Sequence, residues 1–276
     1  MSRSAHALAA SRGQQVLGAG AGLYVVLLVA LPLAALLYTG VADGLSVLWQ
    51  EVSSPVAAEA LWLTSWTSLV VAALNGLLGT ATAWVLVRYP FPGRAVLSAL
   101  VDLPLAIPTL VAGMMLAVLY GTGSLAGEAF AAFGVELIFA PPGIVLALAF
   151  VTLPLVVRAV EPVLLEIDPA EEEAARVLGA SPFRTFKTVH LPAIAPAALS
   201  GAIRSLGRAL GEFGSIVVVA GNIPFKTLTA PVYVYGEIES GNPRTAAAVS
   251  VVLLVFALGL HAVARVIEQQ TGSRRG

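Results

Sequence analysis

Five long runs without a charged side chain constrain this sequence most. They cover residues 13–42, 60–87, 103–127, 137–157 and 245–264. Each run is long enough to cross a bilayer as a helix, which takes about 20 residues. Only 11% of the residues are charged and 58% are hydrophobic, whereas soluble domains are about 25% charged. One globular core of this length could not hide so much apolar surface. The composition therefore excludes a compact soluble enzyme and predicts an all-α integral membrane protein.

A sixth apolar stretch, 194–220, is also long enough to span the membrane but contains three charged residues. The first run is longer than the apolar region of a signal peptide, about 7–15 residues, so we expect it to be retained. We therefore predict one transmembrane domain, 1–276, with six helices, at about 16–38, 61–87, 95–119, 141–160, 194–220 and 245–267.

The basic residues indicate the orientation of the six predicted spans. Eleven of the 15 Lys and Arg residues lie in the N-terminus, the 88–94 turn, the 158–192 loop and the C-terminal tail. The alternate loops contain only Lys226 and Arg244. Because basic residues concentrate on the cytoplasmic side, we expect both termini in the cytoplasm.

The residue inventory excludes several kinds of chemistry. There is no cysteine for a disulfide or a thiolate nucleophile, and His6, His190 and His261 are too isolated to suggest a metal site. Neither lysine, Lys187 nor Lys226, stands in a phosphate-binding Gly-Lys-Ser/Thr motif. Protease motifs and a basic tract for nucleic acid are also missing from the sequence. A membrane-embedded enzyme therefore fits poorly, while a non-transporting scaffold remains compatible with the composition.

The loop 161–192 is the longest polar segment and carries its own helix signals. Asp168 is a good N-cap, Pro169 suits the first helical position, and Gly179 suits a helix end. Ser181 begins a second short helix in the same way. The pattern predicts a helix over about 169–178 followed at once by another.

The first of these helices is amphipathic. Ala174, Val177 and Leu178 share one face by i, i+3 and i+4 spacing. A helix of about ten residues is marginal alone in water, so its apolar face needs a partner. That partner is either the protein's own span ends or a groove on another protein, and the periodicity leaves both open.

Seven residues of this segment resemble the EAA loop of ABC importer permeases. They are Glu173, Ala174, Ala175, Gly179, Ala180, Leu191 and Pro192. In that family the loop inserts its first short helix into a separate ATPase subunit. The resemblance implies that these seven residues couple the chain to an ATPase.

Longer strings resemble the T-type subunit of sulfate/thiosulfate permeases, and molybdate and tungstate permeases share part of one string. The strings are Arg88-Tyr-Pro-Phe-Pro-Gly-Arg94, Leu100-Val-Asp-Leu-Pro104, Arg208-Ala-Leu-Gly-Glu-Phe-Gly-Ser215 and Ala220-Gly-Asn-Ile-Pro-Phe-Lys-Thr227.

What this resemblance implies is a bacterial cytoplasmic membrane protein with the six-helix, type I ABC importer (MetI-like) permease fold. It also implies alternating access, a second homologous permease subunit, two ATPase subunits and an extracytoplasmic sulfate-binding protein. ATP and Mg²⁺ would bind the ATPase, and this chain would need no cofactor.

The charged residues within the fifth predicted span are Arg204, Arg208 and Glu212. Their spacing of four places them on one helix face, and insertion of each charge costs about 2.5–3.5 kcal/mol, so they are expected to face inward. Either Arg208 and Glu212 form a stabilising ion pair, or the stripe lines a path for an anion, which guanidinium groups bind well. With Ser215, these residues are the candidate translocation pathway.

Glycines on the same predicted span favour close helix packing. Gly207 and Gly211 form a Gly-x-x-x-Gly pair, a motif that lets helices approach closely in membranes. With Gly214, they predict tight packing against a partner helix, and a second subunit could supply that helix.

Overall fold

The computed structural model describes residues 12–272, with side chains for residues 17–266, and this part of the chain contains helices and no strand. The all-α prediction is confirmed. Arg3, His6, Arg274 and Arg275 lie outside the described residues. The helices are α1 (Arg12–Val25), α2 (Leu31–Val41), α3 (Leu45–Val52), α4 (Pro55–Arg88), α5 (Arg94–Ala106), α6 (Thr109–Tyr120), α7 (Leu125–Ala132), α8 (Pro141–Glu166), α9 (Pro169–Val177), α10 (Pro182–Thr185), α11 (Leu191–Leu210), α12 (Gly214–Val219), α13 (Ala230–Glu239) and α14 (Pro243–Gly272). The π-helical segments Val26–Ala30 and Phe186–His190 join α1 to α2 and α10 to α11.

Four stretches within the described residues are long and apolar enough to cross a membrane as single helices. They are Leu17–Val41, Pro55–Arg88, Pro141–Glu166 and Pro243–Val266. The helices α4 and α8 extend beyond the expected 61–87 and 141–160, because helical hydrogen bonding continues past the apolar residues into the polar ends. These stretches agree with the integral membrane protein that the uncharged runs predict.

The third and fifth expected spans differ from single straight helices. Between α5 and α6 the helix axis bends by 116°. Pro108 causes the first break, because a proline forces the residue before it out of helical geometry, and Ile107 is extended with φ −88° and ψ 135°. The second break lies at 211–213, between α11 and α12. There the buried carboxylate of Glu212 accepts a hydrogen bond from the Ser215 N–H of α12.

Contacts between distant residues place the connecting segments at two opposite ends of α4. At one end Arg88 pairs with Glu172. At the other end Glu51 accepts a hydrogen bond of 2.8 Å from Thr245. These are called the Arg88 end and the Glu51 end. The 34 residues of α4 separate them by about 51 Å at 1.5 Å per residue.

A buried polar network holds α4, α8 and α11 together midway between these ends. The Asn75 side chain donates to Thr152 Oγ1 at 2.8 Å and to the Ala149 carbonyl oxygen at 3.1 Å. Ser205 Oγ donates to the same Thr152 oxygen at 2.7 Å. Because these polar groups satisfy one another away from water, they fix the three helices in one register.

Candidate functional site

The predicted short helix of the 161–192 loop is present as α9, and its boundary signals act as expected. Asp168 Oδ1 accepts a hydrogen bond of 2.9 Å from the Ala170 N–H. Gly179 ends the helix with φ +79°, a conformation that costs glycine little. Ser181 Oγ then accepts from the Arg184 N–H at 3.3 Å and starts α10. The prediction of two short helices that meet at Gly179 is confirmed.

The apolar face of α9 has no partner within the described residues. Val177 is 87% exposed and Leu178 is 86% exposed. On the following helix, Phe183 is 75% exposed. The interpretation that this face rests on the protein's own span ends is therefore wrong for Val177 and Leu178. We call Val177, Leu178 and Phe183 the apolar patch.

The other side of α9 is attached to the end of α4 by an ion pair. Glu172 Oε1 lies 2.5 Å from Arg88 Nη1, and the two side chains are only 15% and 24% exposed. The Arg88 guanidinium also lies 5.4 Å from the centre of the Trp84 ring. A short, part-buried, charge-assisted contact of this kind is stronger than an exposed surface pair.

Buried His190 completes this attachment. Arg88 Nη2 lies 3.3 Å from His190 Nδ1, and the rings of Trp84 and His190 meet edge to face at 4.9 Å. Burial lowers the pKa of His190 below its ordinary value of 6.5, and the charge of Arg88 lowers it further, against the opposing effect of Glu172 and Glu171. His190 is therefore neutral near pH 7, and Nδ1 can accept the hydrogen bond from Arg88.

This attachment is not predicted by the sequence patterns, in which Arg88 indicates orientation and His190 is isolated from other possible ligands. One signal was available. Glu172 and Glu173 are neighbours on a helix and so point about 100° apart, which predicts different surroundings for the two carboxylates. The structure confirms this difference, with Glu172 largely buried and Glu173 exposed.

The residues of the EAA-like pattern fall into two groups in the structure. Glu173, Ala174, Ala175, Gly179 and Ala180 lie on α9 and the turn after it, where the Ala180 N–H donates to the Ala175 carbonyl oxygen at 3.0 Å. Leu191 and Pro192 lie beyond α10 and begin α11. Their role in coupling stays a prediction.

The charged residues of the fifth span do not share one helix, which corrects that expectation. Arg204 and Arg208 lie on α11, whereas Glu212 lies in the break after it. Arg208 and Glu212 still form an ion pair of 2.5 Å, and the Glu212 side chain is 1% exposed against 42% for Arg208. A buried carboxylate thus has a half-exposed guanidinium as its counter-ion.

The Glu212 carboxylate also explains why the helix breaks. Its Oε1 accepts from the Ser215 N–H at 2.9 Å and from Ser215 Oγ at 3.0 Å. The carboxylate therefore satisfies an N–H at the start of α12 that a continuous helix would bond to a carbonyl oxygen. The structure brings Arg208, Glu212 and Ser215 together, while Arg204 lies one turn earlier on an exposed part of α11.

The three glycines of the packing prediction behave differently. A Cβ at Gly214 would lie 2.2 Å from Thr109 Oγ1 and 2.9 Å from the Leu110 nitrogen, so α12 packs tightly on the start of α6. A Cβ at Gly207 or Gly211 would meet no atom of the described residues within 4 Å. Their packing against a second subunit stays a prediction.

The ion pair that joins α5 to α8 was not predicted from the sequence either. Arg158 donates from Nε to Asp102 Oδ1 at 2.7 Å and from Nη2 to Oδ2 at 2.6 Å. It also contacts Glu161, one turn along α8. This two-point pairing fixes the first half of the broken third span against α8.

Solved structures with a similar fold are ABC transporters. A bacterial transporter involved in the import of alginate gives a TM-score of 0.73 at 17% identity over 91% of this chain and 94% of that chain. The inward-facing MetNI methionine transporter gives 0.52 at 19% identity over 78% of this chain and 95% of that chain. At these identities the likeness shows the fold alone, and it confirms the predicted ABC importer permease fold.

Curated relatives cover most of the chain. The Synechocystis sp. protein named sulfate transport system permease protein CysT is 42% identical over 90% of this chain and 86% of its own length. The Escherichia coli protein of the same name is 37% identical over 91% of each chain. Residues 75–272 match the family described as binding-protein-dependent transport system inner membrane component. This chain therefore belongs to that family of membrane transport components and, within it, to the group of sulfate transport system permease proteins.

Proposed function

We propose that this chain is a transmembrane permease subunit of an ATP-driven ABC importer that moves sulfate and thiosulfate into the cytoplasm. The observation that carries the proposal is 37–42% identity to sulfate transport system permease proteins over 90% or more of the chain. The membrane is the cytoplasmic membrane of a bacterium, with the Arg88 end and both termini facing the cytoplasm. The concentration of basic residues in the segments 88–94 and 158–192 supports this orientation.

The chain itself catalyses no reaction and needs no cofactor. A separate ATPase subunit binds ATP and Mg²⁺, and α9 docks into a groove on that subunit. The exposed apolar patch of Val177, Leu178 and Phe183 supports this docking, because such side chains gain free energy when a partner removes them from water. Glu173 and Ala174 are also exposed on α9 and complete the contact with the ATPase.

The complete importer contains a second, homologous permease subunit, two ATPase subunits and an extracytoplasmic sulfate-binding protein. The open space at Gly207 and Gly211 supports a close helix contact from the second permease subunit. Transport follows alternating access. The binding protein delivers the anion from outside. Closure of the ATPases on ATP then moves α9 and its counterpart in the second permease subunit, and this movement reorients the spans.

The translocation pathway passes the break in the fifth span, where Arg208, Glu212 and Ser215 lie, and continues past Arg204 one turn earlier on α11. Arg208 is 42% exposed at its side chain, and its guanidinium has five N–H donors, more than Glu212 can occupy. Glu212 neutralises most of the Arg208 charge and would repel a bare dianion. The anion therefore meets hydrogen-bond donors without a strong net positive charge, which favours passage over tight binding.

Uptake by the reconstituted importer tests this function. The chain is co-expressed with the second permease subunit and the ATPase, and the complex is placed in proteoliposomes that enclose ATP and Mg²⁺. Uptake of radiolabelled sulfate is measured after addition of the binding protein outside, with enclosed ADP as the control. The proposal predicts ATP-dependent uptake that unlabelled thiosulfate reduces.

Competition with molybdate separates the substrate from the transporter class. If molybdate abolishes uptake at a lower concentration than sulfate or thiosulfate does, the sulfate assignment is wrong and the importer assignment stands. If no oxyanion is taken up with ATP, the importer assignment itself is contradicted.

A further inference from the structure

We propose that Arg88 is a positioning residue that transmits the displacement of α9 to α4 through its ion pair with Glu172. This inference rests on the proposed function, since it assumes that a partner ATPase moves α9. It assigns a mechanical role to a contact that lies outside the EAA-like pattern, and it adds α4 to the parts of the chain that the ATPase drives directly.

The chain's own connections do not link α9 to α4. Along the chain, α9 follows α8 through residues 167 and 168 and leads into α11 through α10 and the segment Phe186–His190. Arg88 and Glu172 are 84 residues apart in sequence. Their ion pair is therefore a direct link that lets α4 follow a movement of α9.

Arg88 is held firmly enough to act as this link. Its guanidinium contacts Glu172 at 2.5 Å, His190 at 3.3 Å and the ring of Trp84 at 5.4 Å. These contacts restrict the side chain from several sides, so that little of a displacement is lost in rotation about its bonds. Arg176, the other arginine near Glu172, lies 3.7 Å away and is 72% exposed, and this looser contact would follow α9 without transmitting its movement.

The helix that Arg88 ends is built to carry a displacement further. α4 is continuous from Pro55 to Arg88, and Asn75 bonds it to α8 and α11 near its middle. Towards the Glu51 end, Thr64 Oγ1 accepts from the Ala230 N–H at 2.8 Å. A movement at Arg88 therefore reaches the start of α13 through one rigid helix.

Two adjacent glutamates thus have different tasks. Glu173 is exposed and free to contact the proposed ATPase, whereas Glu172 is largely buried against Arg88. Substitution of Glu173 should weaken contact with the ATPase. Loss of Arg88 should leave that contact in place and remove its direct link to α4.

The ratio of sulfate taken up to ATP hydrolysed tests the inference. Four variants are compared with the wild-type importer in proteoliposomes: Arg88→Ala, Glu172→Ala, the exchange Arg88→Glu with Glu172→Arg, and Arg176→Ala as the control. We expect Arg88→Ala and Glu172→Ala to lower the ratio at least about fivefold, the lower end of typical coupling effects. Their ATPase activity should persist. Arg176→Ala should stay within about twofold, since exposed pairs contribute little.

The exchange variant separates coupling from folding. We expect it to assemble better than Arg88→Ala and to recover part of the ratio, because it restores the ion pair with reversed charges but not the contacts of Arg88 with His190 and Trp84. An Arg88→Ala importer with the wild-type ratio would overturn the inference. So would an exchange variant that assembles no better than Arg88→Ala, or one that assembles but stays uncoupled. If the wild-type importer takes up no sulfate, the proposed function fails instead.

Discussion

Truncation of Leu178 should weaken the complex with the ATPase and leave the isolated subunit intact. Leu178 is 86% exposed, so Leu178→Ala creates no cavity in this chain. A leucine side chain that becomes fully buried contributes about 1.5–3 kcal/mol. If docking buries Leu178, most of that stabilisation disappears in the variant. A loss of about 2 kcal/mol corresponds to a dissociation constant about 30-fold higher.

The assay measures binding of the purified ATPase subunit to the permease in nanodiscs by biolayer interferometry. The matched control is Leu125→Ala, because Leu125 is 90% exposed on α7. The helix α8, of 26 residues and thus about 39 Å, separates the two leucines. Leu125→Ala should bind the ATPase with wild-type affinity, and both variants should melt within about 1 °C of wild type.

An unchanged dissociation constant for Leu178→Ala would refute the reasoning that α9 docks through its apolar patch. A lower melting temperature of the isolated Leu178→Ala subunit would refute it in another way, since it would mean that Leu178 packs within this chain. Equal weakening by Leu125→Ala would show that the assay reports general damage.

Further substitutions examine the other parts of the site. Glu173→Lys should reduce sulfate uptake while the chain still inserts, and normal uptake in whole cells would contradict a coupling role. Gly214→Ala should destabilise the subunit by about 1–3 kcal/mol through overpacking, whereas Gly207→Ala should not. Thermal melting in detergent measures both, and equal melting temperatures for the two variants would disprove the close contact of α12. Arg208→Ala should impair uptake or complex yield, since it leaves the buried Glu212 carboxylate unpaired. Normal uptake together with normal complex yield would show that Arg208 has no essential role in the pathway. The pKa of His190 is lowered on folding, so its neutral form stabilises the fold above about pH 6.5, and that stability should fall as the pH drops through the folded-state pKa. The melting temperature of His190→Gln should therefore depend less on pH than that of the wild type. An identical pH dependence would show that His190 does not cause it.

Features with a local chemical cause could be predicted from the sequence. The boundaries of α9 follow from Asp168, Pro169 and Gly179, whose effects act within a few residues. A spacing of four also indicates the pairing of Arg208 with Glu212, although the helix ends between them. Average apolarity does not report whether a helix is continuous, however, and so the breaks beside Pro108 and Glu212 were missed.

Pairs that depend on the tertiary fold could not be predicted in this way. Arg88 meets Glu172, and Arg158 meets Asp102, only because distant helices end or cross at the same level. No periodicity in the sequence encodes such a meeting. The exposure of Leu178 is a similar case, because a helical pattern identifies an apolar face without showing what covers it.

The tight contact between Gly214 and Thr109 has a consequence for how the subunit can deform. It joins α12 to α6, the second pieces of two helices that are each interrupted, at 211–213 and at 107–108. Backbone dihedral angles can change at those interruptions without loss of an intact helical turn, as they do at hinges. Rotation at only one of them would strain the contact at Gly214. We therefore expect α6 and α12 to move together as one unit relative to α5 and α11.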